Sequence, residues 1–170
     1  MSRIDPQVRI PIGVVIERRR AKSPWVDFIW RPVAVLPGVP DAAPWTPLDG
    51  DADRMNFYAG AAALELHRSD TAAYRDNLET GTALLWVVLR PTGLEPPYEI
   101  AAVTADPGEG ESFTEGATNL VESVPMPEPV YAIVAEFVAA HPVERPFVKR
   151  ERDRASPEAM ARPAPRKDRP

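Results

Sequence analysis

Cysteine is absent from this chain of 170 residues. Its absence excludes disulfide bridges, cysteine nucleophiles, iron–sulfur ligation and thiolate zinc sites on the chain. It is compatible with a reducing compartment, and we therefore expect a cytoplasmic protein.

Long hydrophobic runs are also missing. No stretch of about 18 apolar residues occurs, so the sequence predicts no membrane insertion. The N-terminal sequence MSRIDPQVRIPIGVV contains a short apolar stretch, but Arg9 and two prolines interrupt it. It therefore lacks the apolar core of a signal peptide.

Motifs that carry chemistry are scarce. The two histidines are far apart, and neither has a second ligand at metal-binding spacing. Asp49, Asp51 and Asp53 alternate as in a calcium loop, but Arg54 and Gly60 occupy positions that require glycine and glutamate. The sequence therefore predicts a non-enzymatic protein without a metal site or a cofactor.

Charge and proline are present in an uneven pattern. Residues 144–170 contain nine basic and five acidic residues, a net charge of +4, whereas the whole chain carries −5, which leaves −9 for residues 1–143. An acidic body argues against nucleic-acid binding. The 21 prolines lack a period, and many flank apolar runs. We expect a single globular domain at residues 1–154 and a disordered, basic, proline-rich tail at residues 155–170.

Hydrophobic periodicity locates the elements. Alternating apolar side chains at residues 8–16 predict a half-buried strand. Residues 25–35 predict a second strand, which Pro32 bends or confines to a sheet edge. The alanine-rich residues 57–67 favour a third strand over a helix, and the apolar residues 83–89 predict the most buried strand.

The remaining segments are read from turn and helix signals. Residues 98–104 predict another strand, residues 37–54 a long loop, residues 69–78 a short helix and residues 106–111 an acidic turn. Residues 112–126 are ambiguous. The clearest helix is predicted at residues 127–140, where the side chains that follow helical spacing are Val130, Ile133, Val134, Phe137 and Val138.

Together these elements predict an α+β fold. We expect a bent, mostly antiparallel sheet or small open barrel of about five strands, with a C-terminal amphipathic helix packed against it.

A cluster of arginines and tryptophans is the first candidate for a partner-binding surface, because these residue types dominate interface hot spots. Its members are Arg18, Arg19, Arg20, Trp25, Arg31 and Trp45. The alternative is a solvated basic turn with Trp30 in the core and Arg31 paired to Asp27. Trp45 is either an exposed anchor or a lid over a secondary core.

A second candidate surface lies near the C-terminus. Phe147 would anchor this segment while Lys149 and Arg150 face a partner. The alternative is a charged run that leaves the domain.

The strings IGVVIERR, WVDFIWRPVAVLPG and FVKRER resemble an uncharacterised proteobacterial family that is classed as a domain of unknown function. Members of that family are associated with gene clusters for molybdenum-dependent formate dehydrogenase and its maturation factors. The resemblance implies an accessory or assembly role and assigns no catalytic residues.

The predicted function is therefore that of an accessory protein that binds a protein client. The implied client is a redox metalloenzyme, such as a molybdenum-dependent formate dehydrogenase, or its maturation factor. The alternative is a small-ligand module with a pocket between sheet and helix, lined by residues 57–67.

Overall fold

The computed structural model describes residues 6–115 and 118–143 and has an α+β fold. Within these residues the chain forms seven strands and three α-helices. In chain order they are β1 (Val8–Arg20), β2 (Phe28–Leu36), β3 (Thr46–Gly50), β4 (Arg54–Leu66), α1 (Thr71–Glu79), β5 (Leu84–Pro91), β6 (Tyr98–Thr104), α2 (Pro107–Ser112), β7 (Leu120–Pro125) and α3 (Glu128–Ala140).

The strands form two antiparallel sheets, with the orders β2-β1-β4-β3 and β6-β5-β7. The prediction of one sheet or barrel with about five strands is therefore too simple. The additional strand β3 lies in the segment predicted as a loop, and β7 lies in the ambiguous segment. β3 is an edge strand that contains Pro47, and an edge position tolerates a residue without an N–H.

The two sheets enclose one core without closing into a barrel. Ile12 and Leu64 of the first sheet belong to the same buried cluster as Leu85 and Leu89 of the second sheet. Cα atoms of β4 and β6 approach within 8 Å, as do those of β2 and β7. In the described residues, neither of these two pairs of strands is joined by a ladder of backbone hydrogen bonds. We name these two open junctions the β4–β6 seam and the β2–β7 seam.

The long strand β1 pairs irregularly with both of its neighbours, because Val33 of β2 and Ala59 of β4 are extra residues without a partner in β1. Its register shifts between Val14 and Val15 against β4, and between Val15 and Ile16 against β2. The second shift lies beside Pro32, and β2 is the edge strand of its sheet. The predicted effect of Pro32 is thus confirmed, since a bulge at an edge accommodates the missing N–H.

The helices differ from the predictions in two respects. Most of the predicted acidic turn at residues 106–111 belongs to the short helix α2. Asp106 caps this helix by accepting a hydrogen bond of 2.9 Å from the Gly108 N–H. In α3, Val130 and Val134 are buried, but Ile133 is 39% exposed. The buried apolar face of α3 is therefore narrower than the sequence predicts. The predicted domain end at residue 154 and the predicted tail lie outside the described residues.

Candidate functional site

The predicted arginines lie on two opposite faces of the first sheet, at the end where β1 turns into β2. Successive side chains of a strand point to opposite faces, so Arg18 and Arg20 share one face and Arg19 lies on the other. The face of Arg18 and Arg20 we call the aromatic face, and its further members are Phe28, Trp30 and Phe57. The opposite face we call the arginine face, and its members are Glu17, Arg19, Ile29, Arg31, Arg54 and Asn56.

The aromatic face is a packed cluster. Trp30 lies 6.0 Å from Trp45 and 5.9 Å from Phe57 between ring centroids, and Trp45 lies 6.2 Å from Phe57. The Arg18 guanidinium is 4.5 Å from the centroid of the Phe28 ring. Such contacts between a cation and aromatic faces are attractive. Arg18 and Trp45 are half-buried, and Trp45 packs together with Trp30 against the main buried cluster.

The arginine face is organised around a buried carboxylate. Glu17 is only 2% exposed. Its Oε2 accepts a hydrogen bond of 2.6 Å from Arg54 Nε, and its Oε1 accepts one of 3.3 Å from Arg31 Nε. Arg19 Nη2 lies 3.2 Å from Oε1. Arg31 thus pairs with Glu17 and not with Asp27, because Glu17 lies directly opposite Arg31 on the neighbouring strand, whereas Asp27 precedes β2.

Electrostatics keep Glu17 ionised. Burial raises the pKa of Glu17, but the hydrogen bond and charge of Arg54, together with the charges of Arg19 and Arg31, outweigh it and lower the pKa. Arg19 lies directly opposite Arg54 across the ladder, an unfavourable pairing of like charges. Glu17 compensates for this repulsion and holds the three arginines together.

A cleft of about 340 Å³ opens beside these side chains in the β2–β7 seam. Arg31, Arg54 and Asn56 line it from the first sheet, and Glu122 and Ser123 line it from β7. The arrangement presents guanidinium groups to an opening between two sheets, which suits the binding of an anion.

The β1–β2 turn and the first residues of β2 carry exposed apolar side chains. Trp25 is 90% exposed, Val26 is 53% exposed and Ile29 is 55% exposed. Trp25 precedes β2, which begins three residues later than predicted, at Phe28. The Trp25 N–H donates to Ser23 Oγ over 3.2 Å, so a turn and not a strand fixes this residue. We call Trp25, Val26 and Ile29 the hairpin tip.

Sequence reasoning missed four residues of the arginine face, namely Glu17, Ile29, Arg54 and Asn56. The alternation of apolar and polar residues in β1 places Glu17 on the polar side of the strand. The sequence of β1 alone gives no further sign of the role of Glu17. Its proximity to Arg54 depends on the pairing of β1 with β4, which is a long-range property. Phe147, Lys149 and Arg150 lie outside the described residues, so their role stays a prediction.

One acidic group has the geometry for a cation. Carboxylate oxygens of Asp70, Asp106 and Glu109 lie within 4.8 Å of one another. Asp106 is engaged as the cap of α2, and Glu109 accepts a hydrogen bond of 2.9 Å from Thr104 Oγ1. These bonds account for two of the three carboxylates without a metal.

In the part of the chain that the structure describes, no helix has the length and apolar character needed to cross a membrane. Comparison with known proteins gives a match to the model of a family described as "Protein of unknown function (DUF3305)", over residues 11–151. No curated protein and no solved structure matches the chain. The matched region includes β1 from Pro11 onward, all the other strands and the arginine and aromatic faces.

Proposed function

We propose that this chain, which belongs to the family of proteins of unknown function designated DUF3305, is a non-enzymatic accessory protein. It would bind a protein client through its hairpin tip. The observation that carries this proposal is the exposure of Trp25, which leaves almost the whole indole in water. A large exposed apolar side chain beside others of its kind is typical of an interaction surface.

The hairpin tip has the composition of an interface hot spot. Trp and Arg are enriched at such sites because they combine large contact area with directed hydrogen bonds. The exposed Arg19 and Arg20 flank the apolar side chains, and Arg20 Nε lies 2.8 Å from Asp53 Oδ1. The β1–β2 ladder closes the backbone at the base of the tip, where Arg20 pairs with Phe28, so less backbone entropy is lost when the tip binds than from an open loop.

We further propose that the client is a redox metalloenzyme or its maturation factor, with molybdenum-dependent formate dehydrogenase as the candidate. This part of the proposal rests on the resemblance of the WRPVAVLPG string and its neighbours to a proteobacterial family associated with such gene clusters.

The test is photo-cross-linking from position 25. The full chain, with a photoreactive amino acid in place of Trp25, is irradiated in cells of the native host and cross-linked proteins are identified by mass spectrometry. The matched control carries the same group in place of Leu94, which is 75% exposed in a different turn. We expect one host protein to cross-link from position 25 and not from position 94.

The captured protein is then purified and titrated with the wild type and the Trp25→Ala variant. Truncation of a hot-spot residue costs about 2 kcal/mol or more, so we expect the dissociation constant to rise by at least about thirtyfold. Equal affinity of the Trp25→Ala variant and the wild type would show that the hairpin tip does not bind the client.

A second candidate function is binding of a small apolar ligand. A cavity of about 530 Å³ lies between the start of β5 and the start of α3, and its apolar lining includes Leu84, Met126 and Tyr131. Residues 57–67, which the sequence predicts as the lining of a ligand pocket, do not line this cavity. If no protein cross-links from position 25, the test of this alternative is to release bound small molecules from the purified chain and identify them by mass spectrometry. A co-purified apolar molecule would support it.

A further inference from the structure

We infer that the cleft in the β2–β7 seam is a binding site for one carboxylate group, and that this carboxylate belongs to a peptide segment of the client. The inference rests on the proposed function, because the client supplies the peptide. It adds a second contact, which is polar and selective for acidic segments, to the apolar contact at the hairpin tip.

The number of hydrogen-bond donors at the cleft exceeds what Glu17 can accept. Each guanidinium carries five N–H donors, and one carboxylate offers about four lone-pair sites. Arg19, Arg31 and Arg54 therefore bring several times more donors than their shared partner can take. Their side chains are 48%, 48% and 61% exposed, so the remaining donors are accessible.

Glu17 fixes the arginines in position before any ligand arrives. Its oxygens engage the Nε atoms of Arg31 and Arg54, which sets the orientation of both guanidinium planes. A guanidinium held in this way loses less side-chain entropy on binding than a free arginine. The buried carboxylate is thus a positioning residue for an anion site.

Charge selects a monoanion over a dianion. Arg31 and Arg54 contribute two positive charges to the lining, and Glu17 and Glu122 contribute two negative charges. The nearby Arg19 adds one positive charge. One carboxylate balances this excess, whereas a phosphate dianion would leave one uncompensated negative charge beside the two carboxylates of the lining.

A buried acceptor in the lining favours a peptide over a free anion. Asn56 Oδ1 is buried and has no hydrogen-bond partner among the described residues. An unsatisfied buried acceptor is unfavourable, and rotation of the Asn56 side chain toward a ligand that brings an N–H donor would relieve the cost. A peptide carries backbone N–H groups next to its carboxylate, and acetate carries none.

The test is isothermal titration calorimetry of the purified full chain with three short peptides at constant ionic strength. The first has a central Glu and an amidated C-terminus, the second has Gln in its place and a free C-terminus, and the third has Gln and an amidated C-terminus. We expect the third peptide to bind at least about tenfold more weakly than the better of the first two, because it lacks a carboxylate. The order of the first two tells a side-chain ligand from a C-terminal one.

Arg31→Lys and Arg54→Lys keep the positive charge but remove the planar fork, so we expect each to weaken binding of the preferred peptide by about tenfold. Arg90→Lys is the matched control, because Arg90 is an exposed arginine paired with Glu99 in the second sheet, and we expect no change. Far-ultraviolet circular dichroism establishes that each variant is folded.

Three results would overturn the inference: equal affinity for the three peptides, no heat from any of them at millimolar concentration, or displacement of the peptide by inorganic phosphate more effectively than by acetate. The Trp25→Ala variant separates this inference from the proposed function. It should bind the peptides like the wild type, since Trp25 does not line the cleft. If the wild-type chain binds none of the peptides but its affinity for the client still depends on Trp25, the inference about the cleft is wrong and the proposed function stands.

Discussion

At the scale of single residues, Glu17 is the one charged side chain in the described part of the chain that is buried. It is a charged side chain that is almost completely buried, and three guanidinium groups surround it. A buried ion pair contributes less to stability than its Coulomb attraction suggests, because both partners lose water. Removal of one partner is nevertheless costly, because the other charges are left without compensation.

We therefore predict that Glu17→Gln lowers the free energy of unfolding by about 1–2 kcal/mol, a value reduced by the solvent exposure of the three arginines. Urea denaturation near neutral pH measures it. The matched control is Glu99→Gln, which removes one partner of a pair exposed on both sides and should cost less than about 0.5 kcal/mol. Equal effects of the two substitutions would contradict the role given to Glu17.

The contribution of Glu17 should also depend on pH. Its pKa is lower in the folded chain than its ordinary value of 4.5, so ionised Glu17 stabilises the fold above that value. The stabilisation is lost as the pH falls through the lowered pKa, because protonated Glu17 resembles Gln. Urea titrations at decreasing pH should show the difference between wild type and Glu17→Gln shrinking below about pH 4.5.

At the scale of elements, α2 docks on the second sheet through a glycine. Gly110 is buried, and a Cβ atom at this position would lie 2.6 Å from Cβ and Cγ of Trp86 in β5. Gly110 has no unusual backbone dihedral, so its role is the close approach of helix and strand. The short helix contributes few other side chains to the core.

We predict that Gly110→Ala lowers the free energy of unfolding by about 1–3 kcal/mol, since the Trp86 ring must move to admit a methyl group. Gly108→Ala is the control in the same helix, where the added Cβ would meet only Asp106 Oδ1 at 3.4 Å. We expect a change within about 0.5 kcal/mol for this control. Thermal unfolding of both variants gives the comparison, and an unaffected Gly110→Ala variant would show that α2 is free to shift.

Local periodicity predicts the elements that alternate or repeat regularly. Residues 8–16 of β1, residues 57–66 of β4 and the helix at Glu128–Ala140 follow from such patterns, whereas the ends of these strands at residues 18–20 and 54–56 do not. The strand β3 does not, since Thr46–Gly50 contains proline and aspartate and pairs only because β4 offers an edge. Strand propensity depends on context in this way more than helix propensity does.

The arginine face could be predicted only in part for the same reason. The sequence indicates Arg19 and Arg31 as surface candidates, but not that they share Glu17 with Arg54. That contact spans 37 positions of the sequence and depends on the pairing of β1 with β4, in which Ala59 of β4 is an extra residue that shifts the register. A register error of one residue would turn these side chains to the other face.

At the scale of the whole molecule, the two sheets depend on each other. Each is open at its edges, and the apolar sides of both contribute to a single buried cluster. Tyr74 of α1 and Phe137 of α3 belong to the same cluster, with ring centroids 6.1 Å apart. Separation of the sheets would expose this core to water.

We therefore predict that the central strands β1, β4 and β5 exchange their most protected amide hydrogens through one global opening. Their opening free energies should agree with the free energy of unfolding within about 1 kcal/mol. Native-state hydrogen exchange in increasing urea measures these values strand by strand. A separate opening of β5, β6 and β7 at lower free energy would contradict the prediction, whereas early exchange of the edge strand β3 is expected.

The contrast between Trp25 and the other tryptophans has a practical consequence. Trp30 and Trp45 lie in a packed cluster, and Trp86 lies under α2, whereas the Trp25 indole is in water. Indole emission moves to shorter wavelength when water is removed from the ring. The chain thus carries its own optical reporter of the hairpin tip, and a blue shift on addition of a client, lost in the Trp25→Phe variant, would identify the binding face without any label.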